Sequence, residues 1–148
     1  MLRLLTALVL SATLVGVSHA SERIELAKKL FAEYVTKYHA FDPTVADLYS
    51  ERAIVQNRRT YPDGTVRELT LPAPQYKQLV RASMPLARSR NDRSQYNNPV
   101  FTEEANGVRI SISRFSALKN HTSPLSLLVG PDESGKWLVL EEKSASIP

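Results

Sequence analysis

The sequence predicts an α+β fold in which helices precede a sheet of antiparallel strands. Apolar residues recur mainly at helical spacing up to about position 90, apart from one predicted hairpin. From Arg93 onward they alternate with a period of two, which is typical of strands. Turn residues separate these segments, so both kinds of element can be assigned in order.

The first 20 of the 148 residues have the pattern of an export signal. Arg3 precedes an almost wholly apolar run, residues 4–17, and Ser18-His19-Ala20 places small residues before a cleavage point. The run is too short to cross about 30 Å of hydrocarbon as a helix. We therefore expect a cleaved signal peptide, a periplasmic or secreted protein without stable membrane insertion, and one mature domain, residues 21–148.

Composition excludes several classes of function. The chain has no cysteine, which excludes disulfide scaffolds, thiol catalysis and cysteine-based metal sites. Only Arg3 among the charged residues leaves with the signal, so 18 Lys and Arg face 15 Asp and Glu, a net charge of +3. This charge is spread along the chain, so we expect no nucleic-acid partner. His39 and His121 form no ligand cluster, and we expect neither a metal nor another cofactor.

Two helices are expected before the first strand. Ser21 is a suitable N-cap, and apolar or aromatic residues follow at helical spacing: Ile24, Ala27, Phe31, Tyr34 and Tyr38. Asp42-Pro43 then predicts a short helix that ends near Tyr49, because aspartate caps well and proline suits the first helical position.

A hairpin and a third helix follow. The segments Ala53–Thr60 and Thr65–Leu71 flank Tyr61-Pro62-Asp63-Gly64, in which proline and glycine favour a tight turn. Pro72 and Pro74 mark the start of the next helix, and Pro85 is expected to bend or end it. The predicted inner stripe of this helix is Tyr76, Leu79, Val80, Ser83 and Ala87.

The rest of the chain predicts four strands at about 93–103, 108–118, 125–129 and 136–144. Asn106-Gly107 favours a two-residue hairpin loop. Pro99 cannot donate to a ladder, which predicts an edge strand. The last strand is apolar on both faces from Leu138 to Leu140, which predicts a place inside the sheet.

This order of elements resembles the nuclear transport factor 2-like superfamily, which includes polyketide cyclase-like and ketosteroid isomerase-like members. The resemblance covers residues 22–145 and rests on element order, Asp42-Pro43 with Leu48-Tyr49, and the ending Gly135-Lys136-Trp137-Leu138-Val139. It implies a cone-shaped fold, in which a strongly curved antiparallel sheet wraps around the N-terminal helices. The open mouth of such a cone often holds a small apolar ligand.

No catalytic pattern of the resembled enzymes is evident in the sequence. The aspartates fall in caps, the short helix or turns, and no histidine lies on a strand. We therefore assign no catalytic residue, and the candidate ligand-binding residues are Arg114, Glu141, Tyr34, Tyr76 and Tyr96. Arg114 follows Val108, Ile110 and Ile112 by strict alternation, so it is expected on their covered face. The structural alternative is that Arg114 lies near the mouth, where its guanidinium reaches water or pairs with Glu141 or Glu142.

Three functions remain open at this point. The leading interpretation is a non-catalytic exported domain that binds a small, partly apolar molecule in its cone. The second is an isomerase, cyclase or dehydratase that uses a pocket tyrosine or glutamate, and it requires an ionisable pair within hydrogen-bonding reach. The third is an interaction module, with a homodimer or another partner held by the outer sheet face.

Overall fold

The computed structural model describes the backbone of residues 14–148 and side chains from residue 19 onward. Helices α1 and α2 and a 3₁₀ helix pack on the inner face of a curved, open six-stranded sheet. The helical elements are α1 (Leu14–His39), the 3₁₀ helix (Pro43–Leu48) and α2 (Ala73–Ser89). The strands are β1 (Tyr49–Thr60), β2 (Val66–Pro72), β3 (Ser94–Glu104), β4 (Gly107–Ser116), β5 (His121–Pro131) and β6 (Trp137–Ser146).

The strand order is β2-β1-β6-β5-β4-β3. All neighbours are antiparallel except β1 and β6, which run parallel. The last strand therefore lies inside the sheet, and the proline-containing strand β3 is an edge, as predicted. Next to Pro99, the β3–β4 register shifts between Asn97 and Val100, and Asn98 has a φ of 51°.

The predicted start of the short helix is confirmed, whereas the predicted start of the first helix at Ser21 is not. Asp42 caps the 3₁₀ helix, because its Oδ1 accepts the Thr44 N–H at 2.8 Å, and Pro43 follows it. Helix α1 begins at Leu14, so Ser21 lies within the helix instead of capping it. Most of the expected signal, residues 1–20, lies outside the described residues, and its cleavage stays a prediction. Among the helices that the structure describes, none is long and apolar enough to cross a membrane.

The β1–β2 turn has the predicted chemistry. Gly64 adopts a φ of +83°, a conformation that L side chains rarely accept. The Asp63 Oδ1 accepts the Thr65 N–H at 2.9 Å, and the Gly64 N–H donates to the Tyr61 carbonyl at 2.9 Å. This short turn fixes the pairing of the two strands.

Helix α2 continues through Pro85 to Ser89. Its buried stripe differs from the predicted one, because Leu79 is 51% exposed whereas Met84 is buried. The buried members fall at the helical spacing of a single face: Ala73, Lys77, Val80 and Met84. Tyr76 and Ala87 of the predicted stripe pack against this core with partial burial.

The core lies between α1 and the inner face of the sheet. Strand residues with less than 2% exposure form its centre: Tyr49, Val108, Ile110, Leu125, Leu127, Val129 and Val139. Trp137, the tryptophan of the Gly135–Val139 segment, is only partly buried and packs at the edge of this cluster. Its loss would therefore remove fewer contacts than the loss of a fully enclosed aromatic side chain.

The β3–β4 loop sits one residue earlier than the glycine pattern indicates. Glu104 pairs with Gly107, so the two loop residues are Ala105 and Asn106. Gly107 instead permits a close approach between strands, since a Cβ there would lie 2.0 Å from the Val129 carbonyl oxygen. Glycine is thus required at this position by packing.

We expect Gly107→Ala to destabilise the protein by about 2 kcal/mol or more, because a β5 backbone atom must move to admit the methyl group. Ser111→Ala, at an exposed position of the same strand, should change stability by less than about 0.5 kcal/mol. Chemical denaturation of both variants measures the difference. Equal stability of the two variants would contradict this steric role of Gly107.

Candidate functional site

A cavity of about 430 Å³ lies between the two helices and the inner face of the sheet. Most of its lining residues are aromatic or apolar, but polar atoms, including tyrosine hydroxyls, form about half of its surface. The lining residues are Tyr34, Tyr38, Phe41, Tyr76, Leu79, Val80, Ser83, Met84, Ala87, Asp92, Ser94, Tyr96, Arg114 and Glu142.

Glu142 supplies a buried carboxyl group to this cavity. The residue is 3% exposed, and its neighbours across the sheet are Val55 on β1 and Leu127 on β5. Both carboxyl oxygens are hydrogen-bonded: Tyr49 donates to Oε2, and Tyr76 donates to Oε1 at 3.1 Å. The two hydroxyls satisfy a group that would be costly to bury alone.

Strand β1 and helix α2 position these two donors around the carboxyl. Tyr49 is the first residue of β1, directly after the 3₁₀ helix, and Tyr76 is the fourth residue of α2. The next residue on α2, Lys77, is buried and donates from Nζ to the Tyr49 carbonyl at 3.2 Å. Lys77 also forms an ion pair with Glu51. Helix α2 therefore contacts the Glu142 carboxyl through Tyr76 and the backbone of Tyr49 through Lys77.

The environment of Glu142 favours its protonated form. Burial raises the pKa of this carboxyl above its usual value of 4.5. The hydrogen bonds from Tyr49 and Tyr76 and the charge of Arg114 lower the pKa, but they only partly offset burial. Glu142 can therefore exchange a proton at a higher pH than an exposed glutamate.

Tyrosine rings enclose the carboxyl on the side of α1. The ring centroid of Tyr34 lies 4.7 Å from that of Tyr38 and 5.8 Å from that of Tyr96. Burial, together with the negative charge of Glu142, raises the pKa of Tyr38 to about 12. Burial also raises the pKa values of Tyr34, Tyr49, Tyr76 and Tyr96. These hydroxyls keep their protons at neutral pH and can serve as hydrogen-bond donors.

Arg114 brings a positive charge to the same cavity. The side chain is partly buried and donates from Nη2 to the Ala145 carbonyl at 3.1 Å and to Ser123 Oγ at 3.5 Å. Both acceptors are neutral. Among the described residues, none of the ion pairs includes Arg114. Its guanidinium can therefore attract an anion.

The structure brings four of the five candidate residues together, since Tyr34, Tyr76, Tyr96 and Arg114 all line the cavity. Glu141 does not line it, and its carboxylate forms an ion pair with Arg109. The role of the five residues in ligand binding stays a prediction. Sequence reasoning did not select three further residues of the cluster: Tyr38, Tyr49 and Glu142.

A β-bulge explains why Glu142, and not Glu141, reaches the cavity. Val139 pairs with Val129, whereas Glu141 pairs with the adjacent residue Leu128, so Leu140 is an extra residue. Such a bulge reverses the alternation of side chains beyond it. Strict alternation from buried Val139 places Glu141 inward, but the extra residue turns Glu142 inward instead.

Other depressions lie elsewhere on the surface. A cleft of about 630 Å³ adjoins Lys77, whose ammonium already contacts Glu51 and the Tyr49 carbonyl. A groove of about 400 Å³ on the outer sheet face is lined by residues that include Ser111 and Ser126. Neither contains the Glu142 carboxyl, although Tyr49 also lines the cleft at Lys77. In the part of the chain that the structure describes, no group of three acidic or histidine side chains could hold a metal ion.

Comparison with known proteins supports the fold. No protein-family model and no curated protein sequence matches the chain. Solved structures do match it, including an NTF2-like protein with a cystatin-like fold from Novosphingobium aromaticivorans. That match has a TM-score of 0.59 at 13% identity and covers 89% of this chain and 86% of the other.

Two further structures show the same architecture. An NTF2-like protein from Cytophaga hutchinsonii matches with a TM-score of 0.55 at 11% identity, covering 83% of this chain and 97% of the other. A candidate ketosteroid isomerase from Parabacteroides distasonis matches with a TM-score of 0.54 at 14% identity, covering 82% and 86%. The chain therefore has the NTF2-like fold, as the sequence resemblance implies. At these identities the likeness concerns the fold alone.

The raised pKa of Glu142 predicts a pH-dependent stability difference between the wild type and Glu142→Gln. A carboxyl whose pKa is higher in the folded than in the unfolded state stabilises the fold fully below the unfolded value of 4.5. This contribution is lost as pH rises through the folded pKa. The wild-type unfolding free energy should therefore fall relative to that of Glu142→Gln as pH increases above about 4.5.

Glu141→Gln provides a control of opposite sign. Partial burial opposes ionisation of Glu141, but its hydrogen bond with Arg109 and the nearby positive charges lower its pKa overall. Its stabilising contribution should therefore be lost as pH falls through the folded pKa. Urea denaturation across the pH range measures both differences. Parallel pH profiles for wild type and Glu142→Gln would contradict the burial of a titrating carboxyl.

Proposed function

We propose that this protein binds a small molecule with an apolar, planar body and an anionic group in the tyrosine-lined cavity. One observation carries the proposal: a cavity of about 430 Å³ lined mainly by aromatic and apolar residues presents the guanidinium of Arg114 besides the carboxyl groups of Asp92 and Glu142. Small-molecule sites typically enclose about 300–1,000 Å³ and combine apolar walls with a few polar groups.

The charges support one orientation of the ligand. The Arg114 guanidinium bonds only neutral acceptors, and its planar fork suits a carboxylate or a similar oxyanion. Glu142, when it is ionised, disfavours an anion at its own end of the cavity, and burial disfavours a second charge there even when Glu142 is protonated. The anionic group should therefore lie at Arg114, with the apolar body against the rings of Tyr34, Tyr38 and Tyr96.

Naphthalene-2-carboxylate and 2-naphthol are a matched pair of probes for this orientation. We expect wild type to bind the carboxylate more tightly than the neutral naphthol. Arg114→Leu should weaken carboxylate binding by about 10- to 100-fold, because a hydrogen bond to a charged group contributes about 1.5–3 kcal/mol. The same substitution should leave naphthol affinity nearly unchanged. Isothermal titration calorimetry measures all four affinities.

Two variants of α2 identify the location of the bound probe. Ala87→Phe places a ring in the cavity wall and should abolish binding, whereas Ala82→Phe adds the same ring at an exposed position outside the cavity. Ala82→Phe should bind as wild type does. Equal probe affinity in the two variants, or equal loss of both probes in Arg114→Leu, would contradict the proposed binding mode.

Acid–base catalysis is a second candidate function, favoured by the hydrogen bonds from Tyr49 and Tyr76 to buried Glu142. They form the ionisable cluster that the enzymatic interpretation requires. A buried carboxylate with a raised pKa can accept a proton from a carbon next to a carbonyl group. Tyr38 keeps its hydroxyl proton and can donate a hydrogen bond to the resulting enolate oxygen.

Hydrogen–deuterium exchange at the α-carbon of 2-tetralone tests this second function. The carboxylate of Glu142 would take up the α-proton and return a deuteron from solvent, so that no net reaction is required. We expect wild type to accelerate the exchange and Glu142→Gln to lose about 10²-fold or more. Proton NMR in D₂O measures the rate, with Glu141→Gln as the control. Equal rates in wild type and Glu142→Gln would contradict catalysis by this carboxyl.

A further inference from the structure

Two arginines lie directly opposite each other near the tip of the β1–β2 hairpin. Arg59 on β1 pairs in register with Arg67 on β2, so both side chains are on one face of the hairpin. Neither residue lines the tyrosine cavity. Like charges in directly opposed positions destabilise a pair of strands unless something offsets their repulsion.

The described residues offer these two guanidiniums no carboxylate partner. Each ion pair among the described residues involves other side chains. The Nε atom of Arg59 is buried and has no hydrogen-bond partner within that part of the chain. A buried N–H of a charged group without an acceptor is destabilising. The rest of the Arg59 guanidinium lacks a charge partner within the described chain.

Tyr61 orients both guanidiniums. The Arg59 Cζ lies 5.8 Å from the centroid of the Tyr61 ring, and the Arg67 Cζ lies 5.4 Å from it. Both distances fall within the range of cation–π attraction, which partly offsets the repulsion between the charges. The Tyr61 backbone N–H donates to the Thr65 carbonyl at 2.8 Å, so the ring is attached to the closed turn.

We propose that Arg59, Arg67 and Tyr61 form a second binding site, which takes a phosphoryl dianion. Two adjacent guanidiniums carry two positive charges, and a phosphate monoester carries about −1.5 to −2 charges near neutral pH. Its oxygens can accept from the terminal N–H groups of both planar forks. Free inorganic phosphate and a phosphomonoester share this chemistry, and the apolar part of a monoester would meet the Tyr61 ring.

Titrations of the full chain at constant ionic strength test the site with inorganic phosphate and with phenyl phosphate. The Arg59 Nε–H signal in a ¹H–¹⁵N NMR spectrum should shift and saturate with each anion. Arg67→Gln, followed at the Arg59 Nε–H, and Arg59→Gln, followed at the Arg67 Nε–H, should each weaken binding about tenfold or more. Tighter binding of phenyl phosphate than of inorganic phosphate would identify a phosphomonoester as the preferred ligand. Equal affinity would identify free phosphate as the ligand.

Arg58→Gln is the matched control, because Arg58 directly precedes Arg59 and lies on the opposite face of β1, and its substitution removes the same charge. It should retain wild-type affinity, and equal weakening in Arg58→Gln would overturn the proposal in favour of a general charge effect. The Arg59 Nε–H signal reports the hairpin alone, so it should respond to each anion equally in wild type and Arg114→Leu, and a response lost in Arg114→Leu would assign the anion to the cavity instead. An Arg59 Nε–H signal that does not move in wild type would overturn the proposal without any variant.

Discussion

The burial of the Glu142 carboxyl is the constraint on which the site depends. A carboxyl in a row of apolar strand residues must find hydrogen-bond donors within the protein. Tyr49 and Tyr76 provide them from the start of β1 and from α2. Satisfying this one group therefore fixes the position of α2 over the sheet. Lys77 strengthens the same arrangement, since its ammonium joins α2 to the backbone of Tyr49.

Sequence patterns predict the parts of this fold that local physics decides. Asp42 and Pro43 determine a helix start, Gly64 determines a turn, and Pro99 restricts its strand to an edge. Each effect operates within a few residues, so the sequence is sufficient to identify it. The parallel pairing of β1 with β6 is different, because residues 87 to 90 positions apart meet there. No local pattern specifies that pairing.

The cavity was predictable in its aromatic wall but not in its carboxyl. Tyr34 and Tyr76 occupy helical stripes, and Arg114 follows an alternating strand face, so their common placement follows from periodicity. Glu142 escapes the same reasoning because the extra residue Leu140 reverses the alternation in β6. Bulges often lie beside functional sites, where they redirect side chains. The adjacent pair Glu141-Glu142 is the only signal in the sequence that either of two carboxyl groups could face the cavity.

The opposed charges of Arg114 and Glu142 connect the two proposed functions. The positive charge of Arg114 lowers the pKa of Glu142, and burial raises it. An anionic group bound at Arg114 would neutralise that charge, and the Glu142 pKa would then rise further. Anion binding would therefore be coupled to proton uptake by the buried carboxyl. A neutral ligand would leave Arg114 charged and Glu142 more readily ionised, which is the state that a catalytic base requires. The charge of the ligand thus decides whether this cavity favours binding or proton transfer.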